Sequence, residues 1–417
     1  MPSSHRPAPP PALAALAASA ASAPPGAGAV SDALAQSVGD RAAPTAGRFA
    51  AIVGPTAAGK TGLALDLAER LGAEIVNADS MALYRGMEIG TARTPEADRR
   101  GIVHHLVDLL DVTEEASVAA YQRQARAAIE GIWARGRTAL LVGGSGLYVR
   151  AVTDVIEFPG TSAKLRAKWE ALGQERGAPW LHAELARLDP AAASAILPGN
   201  LRRLARALEV LELTGRPFSA TLPDFKAWRP VGIVGLDLAN EELDRRIARR
   251  VDWMMRAGLV DEARSLAEVG LRRGRTASQA IGYREALEVV DELATPAQAE
   301  EQIALRTRQL ARRQRKWFRR DPRVKWFAAG QDGEDGQDGQ DGQAGEAGQG
   351  GRVDHAGPAG HARRAEMADR ADQAGLTERV AAFLEAFFTD PQGSAGGAPT
   401  RGAPPGVEAQ VVPESPT

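Results

Sequence analysis

The stretch Gly54-Pro55-Thr56-Ala57-Ala58-Gly59-Lys60-Thr61 has the spacing G-x4-G-K-[ST], and its two flanks constrain the chain more than any other feature. Before it, RFAAIV (residues 48–53) is a short apolar run of strand character. After it, TGLALDLAERLG (61–72) carries the periodicity of an amphipathic helix stopped at Gly72. A strand, a glycine-rich turn and a helix in that order bring backbone N–H groups and the positive end of the helix dipole onto an anion. Lys60 adds a point charge, and the Thr61 hydroxyl can ligate a Mg2+ that bridges phosphates. The motif specifies a diphosphate or triphosphate at a sheet edge and leaves its identity open.

The alternation continues downstream. AEIVNADS (73–80), TALLVGG (138–144) and VGIVGLD (231–237) read as further strands, with the helix SVAAYQRQARAAIEGIWARG (117–136) between the first two. Strands alternating with helices predict an α/β fold, a phosphate-loop parallel sheet wrapped by helices, over residues 48–157 and 230–327. Residues 158–229 lose strand character and read as an inserted helical lobe. Residues 1–47 are rich in Ala and Pro and too poor in large apolar side chains to offset their ordering entropy. Proline breaks their apolar run, so they are no secretory signal, and with only Arg6 and Arg41 they read as an overlong start or dispensable tail rather than a transit peptide. Residues 328–373 contain an acidic Gly/Gln-rich linker, 374–388 a closing helix with Val380, Phe383, Leu384 and Phe387 on one face, and 389–417 a second tail.

Composition narrows the chemistry. There is no Cys, which excludes disulfides, thiol nucleophiles and thiolate metal sites, and the six His are scattered. No apolar stretch is long enough to span a bilayer, so a chain without a membrane partner, working in the cytoplasm, is expected. The near-neutral total of −2 conceals a division: residues 48–327 hold 43 basic and 36 acidic side chains, net +7, and residues 328–417 hold 6 and 15, net −9. The working part is the basic part.

Several residues stand where chemistry is done. Asp79 ends the second strand, and the carboxyl ends of parallel strands line the ligand crevice. It reads as a general base, a helix cap or an outer Mg2+ partner. Ser145, in Gly143-Gly144-Ser145-Gly146 after the third strand, reads either as a hydroxyl for a ligand oxygen or as a cap. That strand supplies no carboxylate for a metal, which weighs against a generic ATPase. RTRQLARRQRKWFRR (306–320) has eight basic residues and no acidic one. A helical projection puts Ile303, Leu310 and Trp317 on one stripe, expected to be buried, and Arg308, Arg312, Arg315 and Arg319 opposite, a single-signed stripe suited to a polyanion. LRRLAR (201–206) is a second basic strip. His104 and His105 are adjacent, hence on opposite faces, and read as packing or hydrogen-bonding groups.

Taken in order, GPTAAGKT (54–61), EIVNADSMALYRGMEIGTAR (74–93), HHLVDLLD (104–111), LLVGGSGLYVRAV (140–152), LRRLARALEVLELTGR (201–216), RRIARRVDWMMRAGLVDEARSL (245–266), SQAIGYREAL (278–287) and RRQRKWFRRD (312–321) resemble the tRNA dimethylallyltransferases, also called tRNA isopentenyltransferases. The match is to the bacterial form, since the cysteines of a C-terminal zinc finger are absent; Ser145 replaces the usual Thr and keeps its hydroxyl. The resemblance implies transfer of a dimethylallyl group from dimethylallyl diphosphate to N6 of the adenosine 3′ of the anticodon, with Mg2+ and without ATP hydrolysis. It implies that Gly54 to Thr61 hold the diphosphate, that Asp79 is the base, and that Lys60, Thr61, Ser145 and Arg246 assist. It further implies tRNA anticodon stem-loop contacts at Asp79, Ser80, Met81, Ala82, Arg202, Arg203, Arg206, Gln279, Gly282, Tyr283, Arg284, Arg312, Arg313, Arg315, Lys316 and Arg319, with ordinary core as the other reading of Tyr283. A monomer is expected. The competing functions are a kinase of a small metabolite and a non-catalytic RNA-binding module with a vestigial phosphate loop.

Overall fold

Among the described residues six strands form one parallel sheet in the order β3-β2-β4-β1-β5-β6. They are β1 (Phe49–Val53), β2 (Ala73–Asn77), β3 (His104–His105), β4 (Thr138–Gly143), β5 (Val231–Asp237) and β6 (Val324–Ala328). The architecture comes from a computed structural model that describes residues 47–218, 225–330 and 358–390, with side chains from residue 372 onward in the last segment. The Ala/Pro-rich segment, most of the acidic Gly/Gln stretch and the C-terminal tail lie outside the described residues. Every residue of β1 and β2 is buried, which is why these strands read as unbroken apolar runs: a parallel sheet covered on both faces has no solvent side. The pleat divides them between two cores. Ala50 and Ile52 face one, Phe49, Ala51 and Val53 the other.

The first core packs α1 (Lys60–Leu71), α8 (Asn240–Arg256), α9 (Leu259–Glu268), α10 (Tyr283–Val290), α11 (Pro296–Phe318) and the end of α12 (Pro358–Thr389). The second packs α2 (Val118–Ala134) and α3 (Gly146–Thr153). A third core, built on Trp169, Leu181, Leu185, Leu204 and Leu208, belongs to α4 (Ala163–Arg176), α5 (Ala178–Leu188), α6 (Pro190–Ala195) and α7 (Leu201–Thr214). The two connectors to this helical region pair with each other, Val155 N–H donating to the Lys226 carbonyl and Trp228 N–H to that of Thr153, both at 2.8 Å. Among the described residues no helix is long and apolar enough to cross a membrane.

Three features depart from the sequence reading. β6 was not legible as a strand, and its last residue lies in the segment expected to be linker. α12 starts at Pro358, well before the expected 374, because Gly-poor helix formers resume there; Val380 and Leu384 are fully buried and Phe383 meets Phe327 at 5.9 Å. The stripe Ile303, Leu310 and Trp317 is a core face only at Ile303. The core receives Ala299, Ile303, Ala311 and Phe318, while Trp317 is 40% exposed. A helical projection shows which side chains share a face and is silent on whether that face meets a core or a cavity.

Candidate active site

The loops following β1, β2 and β4 all leave the same edge of the sheet, so their polar residues converge without long-range contrivance. The first is the phosphate loop. Gly54 turns there at φ +140°, where a Cβ would stand 2.8 Å from the Leu236 carbonyl oxygen of β5, so only glycine fits. Lys60 opens α1, and its ammonium donates to the carbonyls of Gly54 at 3.0 Å and Pro55 at 2.6 Å. Burial, reinforced by the neighbouring Arg250 charge and partly opposed by Asp79, lowers the Lys60 pKa to about 8.

After β2, Asn77 organises the turn: its Oδ1 accepts the Asp79 N–H at 2.9 Å, and its Nδ2 donates to the Asp79 carbonyl at 3.0 Å. Asp79 Oδ1 accepts the Met81 N–H at 2.9 Å, which fixes one carboxylate oxygen and leaves the other for chemistry. The carboxylate lines both a chamber of about 510 Å³ and a smaller cavity of about 130 Å³ that holds Lys60 and Thr61. After β4, Ser145 Oγ accepts the Ser80 N–H at 3.2 Å and lies 3.3 Å from the Ser80 hydroxyl, so it ties Asp79's loop to its own.

Two site residues escaped the sequence reading. Arg250 of α8 donates to Thr56 Oγ1 at 3.3 Å and to the Thr91 carbonyl at 2.8 Å, and it lines both cavities. Burial lowers its pKa, with Asp79 opposing. The expected arginine, Arg246, lies one turn earlier, donates to Glu242 at 2.6 Å and lines a different cleft behind Gly59. The side chain within the chamber is therefore Arg250, not Arg246; RRIARRV contains both, and spacing alone does not choose between neighbours on one helix flank. The other residue is Gln314 of α11. Its Oε1 accepts the Thr56 N–H at 2.8 Å and its Nε2 donates to the Gly144 carbonyl at 3.0 Å, which joins the phosphate loop to the β4 loop.

The remaining candidates divide into groups. Ser80, Met81, Arg202, Gln279 and Arg313 line the larger chamber, together with Arg275 and the exposed ring of Trp317. Ala82 lines the smaller cavity. Arg203, Arg284 and Lys316 are exposed and line neither. Arg206 is committed to Glu209 at 2.9 Å and to the Pro159 carbonyl at 2.9 Å. Tyr283 is buried by packing, its hydroxyl donating to Glu262 at 2.5 Å, yet it also lines the larger chamber, so both readings of this residue stay open; Gly282 beside it is buried too. The basic stripe of α11 is not single-signed once folded. Arg312 pairs with Asp244 at 2.8 Å, Arg315 with Asp237 at 2.9 Å and Arg319 with Asp237 at 2.5 Å. Two acids distant in sequence offset part of the charge of four arginines, so the stripe keeps a positive excess.

β3 separates the two histidines. His104 Nδ1 lies 2.9 Å from the Ile102 carbonyl at the smaller cavity, its pKa lowered by burial, and His105 Nε2 lies 2.6 Å from Glu74. Among the described residues no group of three or more His, Asp or Glu could hold a metal by itself. Thr61 is exposed at the start of α1 on the smaller cavity, which suits an ion carried chiefly by phosphate oxygens with one hydroxyl ligand from the chain.

The sequence profile described as IPP transferase matches residues 82–321. The chain is 54% identical over 288 residues to the tRNA dimethylallyltransferase of Streptomyces coelicolor, covering 69% of this chain and 92% of that one. It is 56% identical over 281 residues to that of Thermobifida fusca, covering 66% and 88%. Among solved structures it is similar to the full-length tRNA isopentenylpyrophosphate transferase of Bacillus halodurans, with a TM-score of 0.51 and 40% identity over 68% of this chain and 90% of that chain. It is also similar to a eukaryotic dimethylallyltransferase acting on tRNA, with a TM-score of 0.60 and 27% identity over 67% and 73%. A phosphate loop facing a strand-end carboxylate across a chamber rimmed by arginine and tryptophan thus sits on a scaffold shared with these enzymes along most of its described length, and the chain belongs to the IPP transferase family.

Proposed function

We infer that the chain transfers a dimethylallyl group from dimethylallyl diphosphate to N6 of the adenosine 3′-adjacent to the anticodon of tRNA and releases diphosphate, acting as a cytoplasmic monomer. The observation that carries the chemistry is that Asp79 and Arg250 line two cavities at once, the smaller one with Lys60 and the larger one with an apolar wall of Met81, Val251, Met254, Ile281 and Leu310. A prenyl diphosphate has these two ends: a polyanionic head for the cations and a hydrocarbon tail for the wall. A metabolite kinase finds no such need for the wall, and the relatives named above give that reading no support.

Two barriers have to be lowered. An adenine amino group is a weak nucleophile because its lone pair is delocalised into the ring. Asp79 meets this by taking the N6 proton as the C–N bond forms, with the Met81 N–H holding its other oxygen in place. Breaking the allylic C–O bond leaves negative charge on the bridging oxygen, which Arg250, held beside the phosphate loop, and Lys60, on exchanging its Gly54 and Pro55 carbonyl partners for phosphate oxygens, neutralise. Mg2+ bound through the diphosphate and Thr61 would supply further charge neutralisation there. The acceptor base must leave its stack to reach Asp79, at a cost of a few kcal/mol that is smallest in a single-stranded loop. Trp317, Arg313, Arg202 and Gln279 at the chamber's rim offer stacking and charge for that segment.

The test is incubation of purified protein with radiolabelled dimethylallyl diphosphate and unmodified tRNA, followed by nuclease digestion and mass spectrometry of nucleosides. Label on N6 of the adenosine next to the anticodon is expected. Label-free RNA, with ATP consumed on a metabolite instead, would overturn the assignment.

A further inference from the structure

Glu262 of α9 lines neither cavity, yet its carboxylate gathers four donors. It accepts the backbone N–H groups of Glu88 at 3.2 Å, Ile89 at 2.8 Å and Gly90 at 3.3 Å, and the Tyr283 hydroxyl at 2.5 Å. Burial, and then the charge of Glu262 itself, raises the Tyr283 pKa, so the phenol stays a donor. The loop is also seated on the phenol ring: a Cβ at Gly90 would stand 2.4 Å from Tyr283 and 3.0 Å from Leu259. Three consecutive peptides of an irregular segment are therefore pinned by one anion from below.

The next residue matters to the site. The Thr91 carbonyl accepts from Arg250 Nη2 at 2.8 Å, and Arg250 Nη1 donates to Thr56 of the phosphate loop at 3.3 Å. Arg250 donates to a hydroxyl and a peptide carbonyl and to no carboxylate among the described residues, with Asp79 acting on it only through its charge. An arginine aimed directly by a carboxylate would have much of its charge cancelled. Here the carboxylate stands one peptide removed: it fixes the carbonyl that aims the guanidinium and leaves the positive charge for an anion.

We propose that Glu262 and Tyr283 are positioning residues for Arg250, acting through the 88–91 loop to set the affinity for the diphosphate group. The activity arm of this idea rests on the transfer reading above; the binding arm does not. The experiment is calorimetric titration of the full chain with inorganic diphosphate for wild type, Glu262→Gln, Arg250→Lys and the double variant, with melting curves to confirm folding. Glu262→Gln is expected to weaken diphosphate about 10-fold or more, within the range of coupling energies for connected groups, and to leave tRNA affinity within about twofold. On the Arg250→Lys background, which keeps the charge but loses the two-armed reach, the same change is expected to cost less than about twofold. If Glu262→Gln does not fold, Tyr283→Phe keeps the ring on Gly90, removes only one donor and is expected to weaken diphosphate about threefold, again only when Arg250 is present. An unchanged diphosphate affinity, an equal loss on both backgrounds, or a matching fall in tRNA affinity overturns the proposal. Wild-type prenylation of tRNA is scored separately, so diphosphate coupling without prenyl transfer retains this proposal and removes the transfer reading.

Discussion

Replacing Lys60 by Met should make the protein more stable and unable to hold its donor, and the size of the effect can be worked from the site. The ammonium is partly withdrawn from water beside Arg250, and its pKa falls from 10.5 to about 8. At about 1.4 kcal/mol per pKa unit, keeping that group charged in the fold costs about 3 kcal/mol at neutral pH. Its hydrogen bonds to the Gly54 and Pro55 carbonyls return about 1 kcal/mol that Met cannot supply, so Lys60→Met is expected to gain about 2 kcal/mol, or about 4 °C in Tm. The pH dependence follows from the direction of the shift. Below about 8 the lysine is protonated in both folded and unfolded chains, and the full cost is present. Between about 8 and 10.5 the unfolded chain binds more protons than the folded one, so wild-type stability rises with pH and the advantage of Met disappears. Urea unfolding of both proteins at neutral pH and near pH 10, alongside diphosphate titration, measures each part. A Met variant no more stable than wild type near pH 7, or an advantage that persists unchanged to pH 10, would refute the claim that the phosphate loop stores the cost of a desolvated charge.

Asp79→Asn preserves the cap on the Met81 N–H and removes the proton acceptor, so kcat should fall by about 10²- to 10⁴-fold with diphosphate affinity maintained; single-turnover prenylation measures it. Arg250→Gln should reduce kcat/KM for the donor by about 10²-fold, whereas Arg246→Gln, whose side chain is held by Glu242 outside the chamber, should change it less than about threefold; steady-state kinetics on the two variants would reverse the assignment if the order were opposite. Arg313→Gln should weaken tRNA binding and flatten its salt dependence by about one unit of slope, while Arg312→Gln, already paired with Asp244, should move the slope less. Equal slopes for the two would mean that the ion pair opens on binding.

What could be read from the chain alone was what depends on neighbours along it. The phosphate loop between Val53 and Lys60, the strands Val231–Asp237 and Thr138–Gly143 and the position of Asp79 at a strand end follow from backbone requirements and short periodicities, which act within a few residues. The ordered series of motifs carried the family resemblance for the same reason. Tertiary structure decided whatever depends on what lies opposite. Thr56 and Gln314 are 258 residues apart and share a hydrogen bond, so no local pattern could announce Gln314. Arg246 and Arg250 are one turn apart on one helix, and only the docking of α8 against the phosphate loop gives the chamber to Arg250. The charge of α11 looked unopposed until β5 and α8 placed Asp237 and Asp244 against it. Tyr283 could be a wall for a ligand or a strut beneath a loop, and packing puts it in both places, on the chamber and on the carboxylate of Glu262. Periodicity assigns a side chain to a face; the packing of distant segments determines whether that face meets core, counter-charge or substrate.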